Sequence, residues 1–576
     1  MKRTRWMISI LSAALLALSA GCQAAESSSG GSATADTQAT TAQAVSAVES
    51  AQAISSEAYS DRDLDPSYDD SEAVSVDLSA VTGDYTITQA GIYVLTGTLV
   101  NGSVIVNAGE ADKVQIVLSG ASITSSDGPA IYAVEADKLF ITAAENTVST
   151  LTDGAIYAED SFGNSPDGAI FSRCDLTING AGTIDIAGNY KFGIVGKDEV
   201  VLTGAVLNVT AVSDGIVGKD SVAINGGTVS ITAGGDGIVS ENSDDASLGI
   251  VLIDGGTVTI VTGGTSADSA KGIKTQTALT INGGSIAIDA EDDALHSASA
   301  LTVTGGTLYL KSGDDGMHSD DLLVISGGEV SIAESYEGIE AGTITISGGT
   351  VDITASDDGL NAAGGSDEAA AQTGRRTDSF AADTSKSVLI SGGMVTIRAD
   401  GDGIDSNGSL TITGGSVYIS GPTSSANGAL DAGASITISG GVIIAAGSSG
   451  MAQGFDSSSS QASVTYTYAS AQSAGTRITL TDASGGVIVT YAPEKAYQSV
   501  VLSAPGLTQG QTYTLYSGGS VADGALSGGT EQASITLSGM VTSSGSGSGG
   551  MGGWSNGGGM GGMGGDTGGG GGGRRR

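Results

Sequence analysis

Among 576 residues there are two cysteines, two histidines and six prolines, and aromatic side chains make up 4% of the chain. Two cysteines exclude a disulfide scaffold. Basic residues are also scarce. Lys and Arg number 22 against 63 Asp and Glu, a formal net charge of −41. That balance excludes nucleic acid as a direct partner and argues against an anionic membrane surface. There is no Ser-His-Asp signature, no zincin motif and no phosphate loop. The only long apolar run is Met7 to Leu18, too short to span a bilayer as a stable helix.

That run follows Lys2, Arg3 and Arg5 and ends in Leu18-Ser19-Ala20-Gly21-Cys22. The pattern resembles a bacterial lipobox, so residues 1–22 are expected to be a lipoprotein signal peptide with lipid on Cys22. The expectation is an extracellular, lipid-anchored bacterial surface protein that meets the membrane only through that anchor. Residues 23–60 are mostly Ser, Ala, Thr, Gln and Glu and read as a disordered linker. Residues 543–576, rich in Gly and Met, read as a disordered tail. Cys174, in FSRCDLTING, reads as a small buried residue.

What the chain has in abundance is glycine, 93 residues of it. An aliphatic residue, a small polar one, Gly-Gly and then alternating apolar residues recur as INGGTVSI (224–231), VTGGTLYL (303–310) and ISGGEVSI (325–332), among other copies. A second motif lies between them: an acid, Gly or Ala, an aliphatic residue, a variable residue and a small one. Its Gly or Ala falls at 193, 215, 237, 272, 294, 316, 338, 359, 403 and 429. The usual spacing is 22; the exceptions include 35 and 44, which carry inserted loops, the longer one over 364–386. A repeat of this length, made of short period-2 runs broken by Gly, predicts an all-β fold, a parallel β-helix with about 22 residues per coil over 61–462. After it, 463–542 reads as antiparallel hairpins forming a small β cap.

The second motif carries the candidate site. The residue before its Gly or Ala is Asp293, Asp315, Glu337, Asp358 and Asp402 in five copies. The residue two after it is His296, His318, Glu340, Asn361 and Asp405, and both histidines of the chain share that position. Asp292, Asp314 and Asp357 stand beside the column. Equivalent residues of successive coils stack at about 4.8 Å. Two charges at that distance repel by about 3–4 kcal/mol at an effective dielectric near 20. Ca²⁺ between rungs would offset this, since it takes six to eight oxygens in irregular geometry. The expected metal ligands are therefore Asp292, Asp293, Asp314, Asp315, Glu337, Asp357, Asp358, Asp402 and Asp405. A competing reading makes Asp-Gly a turn former only. It suffices at 213–215 and 235–237, where no second acid follows. The histidine pair also suits Zn or Ni, although the oxygen-rich surroundings favour calcium.

GIYVLTGTLVNGSVIVN, DGAIFSRCDLTINGAGTI, SDGIVGKDSVAINGGTVSITAGGDGI and the acidic rungs together resemble a bacterial family of extracellular carbohydrate-binding proteins. The resemblance runs from about 75 to 525. It implies a right-handed, pectate-lyase-like β-helix, bound calcium and a polysaccharide partner of the pectate or cellulose type. On that reading His296, His318, Glu340 and Asn361 would contact sugar. Tyr132 and Tyr157, which with Phe171 fall on the variable position of the opening coils, would form an aromatic strip. The negative charge disfavours an acidic glycan unless calcium bridges the two. The rival readings are a calcium-dependent uronate lyase, with Lys274 as candidate base, and a structural surface adhesin.

Overall fold

The computed structural model describes residues 32–264, 269–363 and 382–546. The chain is all-β, and among the described residues 41 strands join one mostly parallel sheet. Most Gly-Gly motifs lead into a strand in which buried aliphatic residues alternate with outward-facing ones, as in Thr257–Thr262 and Thr307–Ser312. Residue by residue, Leu295, His296 and Ser297 pair in parallel with Met317, His318 and Ser319. The same offset joins Ala278–Ile281 to Ala300–Val303 and Ser285–Ala290 to Thr307–Ser312. Each repeat thus supplies three strands, and each strand lies beside its counterpart in the next repeat.

Stacking this close accounts for the double glycines. Gly328 has φ +85°, and a Cβ there would lie 2.9 Å from backbone atoms of both Gly305 and Gly306. At Gly327 a Cβ would meet the Thr304 carbonyl oxygen at 2.3 Å. Only the absence of a side chain allows successive turns to nest. Insertions leave the ladder intact. Ile238 pairs with Ile273 across one inserted loop, and Leu360 pairs with Ile404 across the other. Residues 364–381 of that second loop lie outside the described residues.

The inward residues form one continuous core of Ile, Val and Leu, most of them fully buried. Cys174 belongs to it, and burial pushes its thiol up to about 11, which keeps it protonated. At the far end, Ser463–Gln472 and Tyr497–Ser503 run antiparallel to each other, and Tyr497–Ser503 also runs antiparallel to Val442–Gly447. A four-stranded antiparallel sheet follows, with its own core around Tyr466, Tyr468, Tyr497 and Tyr513. The strand Val541–Gly545 extends into the region expected to be tail.

The N-terminal region departs from expectation. Over the described residues the expected linker is a helix, α1 (Ser32–Glu57). Its Ala44, Ala47 and Val48 pack on Leu322 and Val324, apolar residues of the sheet's outer face. Ala58 and Tyr59 similarly cover Val201, Ala223 and Leu252. A short helix α2 (Asp61–Leu64) then places Asp63 against Lys138 at 2.7 Å and Thr177 at 2.6 Å. An Ala/Ser/Thr segment has little apolar area of its own; its order comes from the outward apolar rows it covers. No helix among the described residues is long and apolar enough to cross a membrane.

Candidate functional site

The middle residue of each repeat's first short strand belongs to one outer column. Its register runs Ile105, Tyr132, Phe171, Val195, Val217, Val239, Lys274, His296, His318, Glu340, Asn361, Asp405. The first half is apolar and the second half is charged or polar.

The apolar half corrects the expected aromatic strip. Tyr132 is 4% exposed, packed edge-on between Phe162 and Phe171. Its hydroxyl donates to Asp160 and accepts from Asn164, and burial raises its pKa to about 12. Tyr157 is not in the column at all. LTDGAIYAE imitates the repeat motif, but after Thr152 the chain leaves the sheet as a loop. Asp153 accepts the Asn189 N–H at 2.5 Å, and Tyr157 stacks on Tyr190 at 4.4 Å. A buried Tyr132 and a displaced Tyr157 cannot form one sugar-contacting strip.

A second column, just before the Gly or Ala of each motif, runs beside the first. Its carboxylates have a job that their sequence did not advertise. Asp214 Oδ1 accepts the N–H of Asp236 (3.0 Å) and Asp236 Oδ1 that of Lys271 (2.7 Å). Asp293 does the same for Asp315 (3.0 Å), Asp358 for Asp402 (2.5 Å) and Asp402 for Gly428 (2.5 Å). Each aspartate thus caps a backbone donor of the next repeat, and charge-assisted bonds of this kind are strong. The Asp-Gly copies at 214 and 236, read as plain turns, belong to the same ladder.

Lys271 occupies this acidic column, and motif reading centred on acids passed over it. Its ammonium pairs with Asp293 and lies 3.1 Å from Asp292; lysine and Asp293 are both buried. A protein cation therefore already serves the first acidic rung. The neighbouring Lys274 stays 46% exposed, 3.9 Å from Asp236.

Next come two Asp–His couples. His296 Nδ1 lies 2.9 Å from Asp293 Oδ2, and His318 Nδ1 lies 2.9 Å from Asp315 Oδ2. The rings stack with centroids 4.8 Å apart and planes at 8°. His318 also faces Glu340 Oε2 at 3.5 Å and, through Nε2, Asp320 Oδ1 at 3.2 Å. Burial alone would lower the His318 pKa, but the bonds to Asp315, Asp320 and Glu340 hold it far above the ordinary histidine range. For Asp293, burial works upward; the His296 hydrogen bond and the Lys271 and His318 charges outweigh it and hold the carboxyl below the usual range.

The last section is purely acidic. Asp358, Asp402 and Asp405 offer carboxylate oxygens within 4.8 Å of one another. Burial, then the charges of Asp402, Glu337 and Asp357, push Asp358 up to about 9. Burial, against the Gly428 N–H, and the charges of Asp431, Asp405 and Asp357 bring Asp402 to about 7. Asp292, Asp293 and Asp314 form another such group, with Lys271 already beside it. Asn361 bridges the sections by donating to Glu337 at 2.8 Å. An all-oxygen donor set such as Asp358–Asp402–Asp405 is the kind calcium takes.

A repeat-built, all-β protein with a graded outer column, apolar at one end and acidic at the other, is thus what fold and site define. The model of a family described as carbohydrate-binding domain-containing protein matches residues 82–267, 261–316 and 315–492, and the chain belongs to that family. A carbohydrate-binding domain-containing protein of Acetivibrio thermocellus is 33% identical over 135 residues, which is 23% of this chain and 47% of that relative. The chain therefore spans about half of the relative's length. The solved polysaccharide lyase-like protein from C. thermocellum, a gadolinium derivative, is 27% identical, with a TM-score of 0.37 over 45% of this chain and 99% of that one.

Proposed function

We propose that this protein binds a polysaccharide, non-catalytically, along the charged half of its outer column, at the surface of the cell that exports it. The observation that carries the reading is the family match, which spans 82–492 and includes the whole column from Ile105 to Asp405. The strands would wind as a right-handed parallel β-helix of about 22 residues per coil, an elongated scaffold suited to a polymer. Calcium would sit at Asp358, Asp402 and Asp405. There it would supply positive charge that relieves the clustered carboxylates and bridges to an acidic sugar. Without such a bridge, a net charge of −41 repels a uronate chain. The lipid on Cys22, which lies outside the described residues, would tether the fold.

The exposure of Lys274, directly before His296 in the column, favours a second reading, a uronate lyase with Lys274 as base. One experiment separates the two. The full chain is presented with polygalacturonate and with cellulose, in millimolar calcium and in EDTA, while unsaturated product is followed by ultraviolet absorbance. The binding reading expects retention on polygalacturonate in calcium, loss of retention in EDTA and no product. Product formation that a Lys274→Ala variant loses would establish the lyase instead. Retention on neither glycan would leave an adhesin.

A further inference from the structure

The calcium reading makes no use of the two histidines, and the donors around them are of a different kind. We propose that His296 and His318, with Asp293, Asp315 and Glu340, form a site for a divalent transition-metal ion of the zinc class. Two overlapping donor groups meet there, Asp293–His296–His318 and Asp315–His318–Glu340, each with its ligand atoms within 4.8 Å. Both share His318, so one ion seated beside that ring reaches either set.

Three further observations support the assignment. The first is spacing. Two N and O ligands on a tetrahedral zinc, at about 2.0–2.2 Å from the metal, stand about 3.3 Å apart. His318 Nδ1 lies 2.9 Å from Asp315 Oδ2 and 3.5 Å from Glu340 Oε2, on either side of that value. The second is an orphaned acceptor. Asp315 is fully buried, and its Oδ1 has no hydrogen-bond partner, although Oδ2 of the same carboxylate meets His318. A buried carboxylate oxygen without a donor is costly, and a metal ion would use it. Asp315 is also where the capping ladder breaks, since its Oδ1 accepts no backbone N–H of the next rung. The third is charge. Lys271 pairs with Asp292 and Asp293, whereas three carboxylates, Asp315, Asp320 and Glu340, gather around His318. Imidazole nitrogen selects zinc, copper, nickel or cobalt over calcium, which prefers oxygen alone.

The test uses the full chain without a histidine tag, stripped by chelator and dialysed, titrated with Co²⁺ and Zn²⁺. One saturable equivalent is expected, with visible Co²⁺ ligand-field absorption that zinc removes and millimolar calcium does not. Cu²⁺ bound to the unmodified protein should show nitrogen hyperfine coupling in its electron paramagnetic resonance spectrum, a readout that depends on no variant. His318→Gln should weaken Co²⁺ binding by at least about 100-fold, beyond the loss typical of an outer-shell partner. Asp315→Asn is the second variant, and circular dichroism checks that each retains its β signal. No saturable Co²⁺ binding, no nitrogen coupling, or ready displacement by calcium would each overturn the proposal. So would a folded His318→Gln protein with unchanged affinity.

Discussion

Replacing Lys271 with methionine is expected to lower the stability of the fold by about 3–5 kcal/mol, the usual cost of removing one partner from a buried ion pair. The lysine side chain is 5% exposed and the Asp293 side chain 0%. Without the ammonium, Asp293 loses its buried ion pair and is left with His296, the Asp315 N–H and the nearby His318, and Asp292 loses its 3.1 Å contact. Methionine preserves most of the volume, so the loss reads the charge rather than a cavity. Chemical denaturation followed by circular dichroism measures it. Lys274→Met is the internal control: one register step away from His296 but 46% exposed, it should change stability by about 0.5 kcal/mol or less. Equal effects from the two substitutions would contradict the account of the column as a ladder that holds a buried cation at Lys271.

The acidic end should make the metal-free protein less stable as pH rises, against the common expectation for an acidic protein taken up from low pH. Asp358 goes from an ordinary value of 3.8 to about 9 on folding, and Asp402 from 3.8 to about 7. A carboxyl with a raised folded-state pKa holds more protons folded than unfolded. Its contribution is therefore fully present below about pH 4 and is lost as pH climbs toward the folded value. Each such group costs at most about 1.4 kcal/mol per pH unit over that window. In EGTA the melting temperature should fall by several degrees between pH 5.5 and pH 8. Calcium should flatten most of that slope by replacing the protons. Asp198 and Glu199, raised to about 7, and Asp214, raised to about 6, add slope of the same sign. They lie away from the proposed ion, so calcium leaves their share in place. Asp293 acts oppositely and only in strong acid, because its folded pKa is depressed. A melting temperature that rises with pH in EGTA would contradict this assignment of burial and repulsion at Asp358 and Asp402.

The repeat was legible because its physics is written locally. Gly-Gly marks each nested turn, and alternating Val, Ile and Leu mark each strand, so the positions of His296 and His318 on one column could be read directly from their spacing. Four features were not legible, each for a physical reason. Lys271 holds the same place as Asp293 and Asp315, but a motif defined by acids passes over a lysine that pairs with Asp292 and Asp293. LTDGAIYAE has the composition of a repeat, yet Asp153 caps the Asn189 N–H and Tyr157 leaves the sheet. Composition cannot distinguish a strand from a loop that borrows its turn chemistry. Helix α1 has almost no apolar face, and what orders it is Leu322 and Val324 on a sheet far away in sequence. The capping of each repeat's N–H by the preceding aspartate also needed coordinates. Sequence shows acids stacked on acids, whereas structure shows Asp214, Asp236, Asp293, Asp358 and Asp402 each bonded to a peptide donor of the next rung.

The most direct test of the central claim, that the acidic section of the column is a calcium-dependent glycan surface, is calorimetric titration of polygalacturonate into Asp402→Asn and unmodified full-length protein in millimolar calcium. The account predicts binding by the unmodified protein, at least about a tenfold weaker affinity for the variant, and no binding by either in EGTA. Equal affinities for the two proteins, undiminished in EGTA, would contradict it.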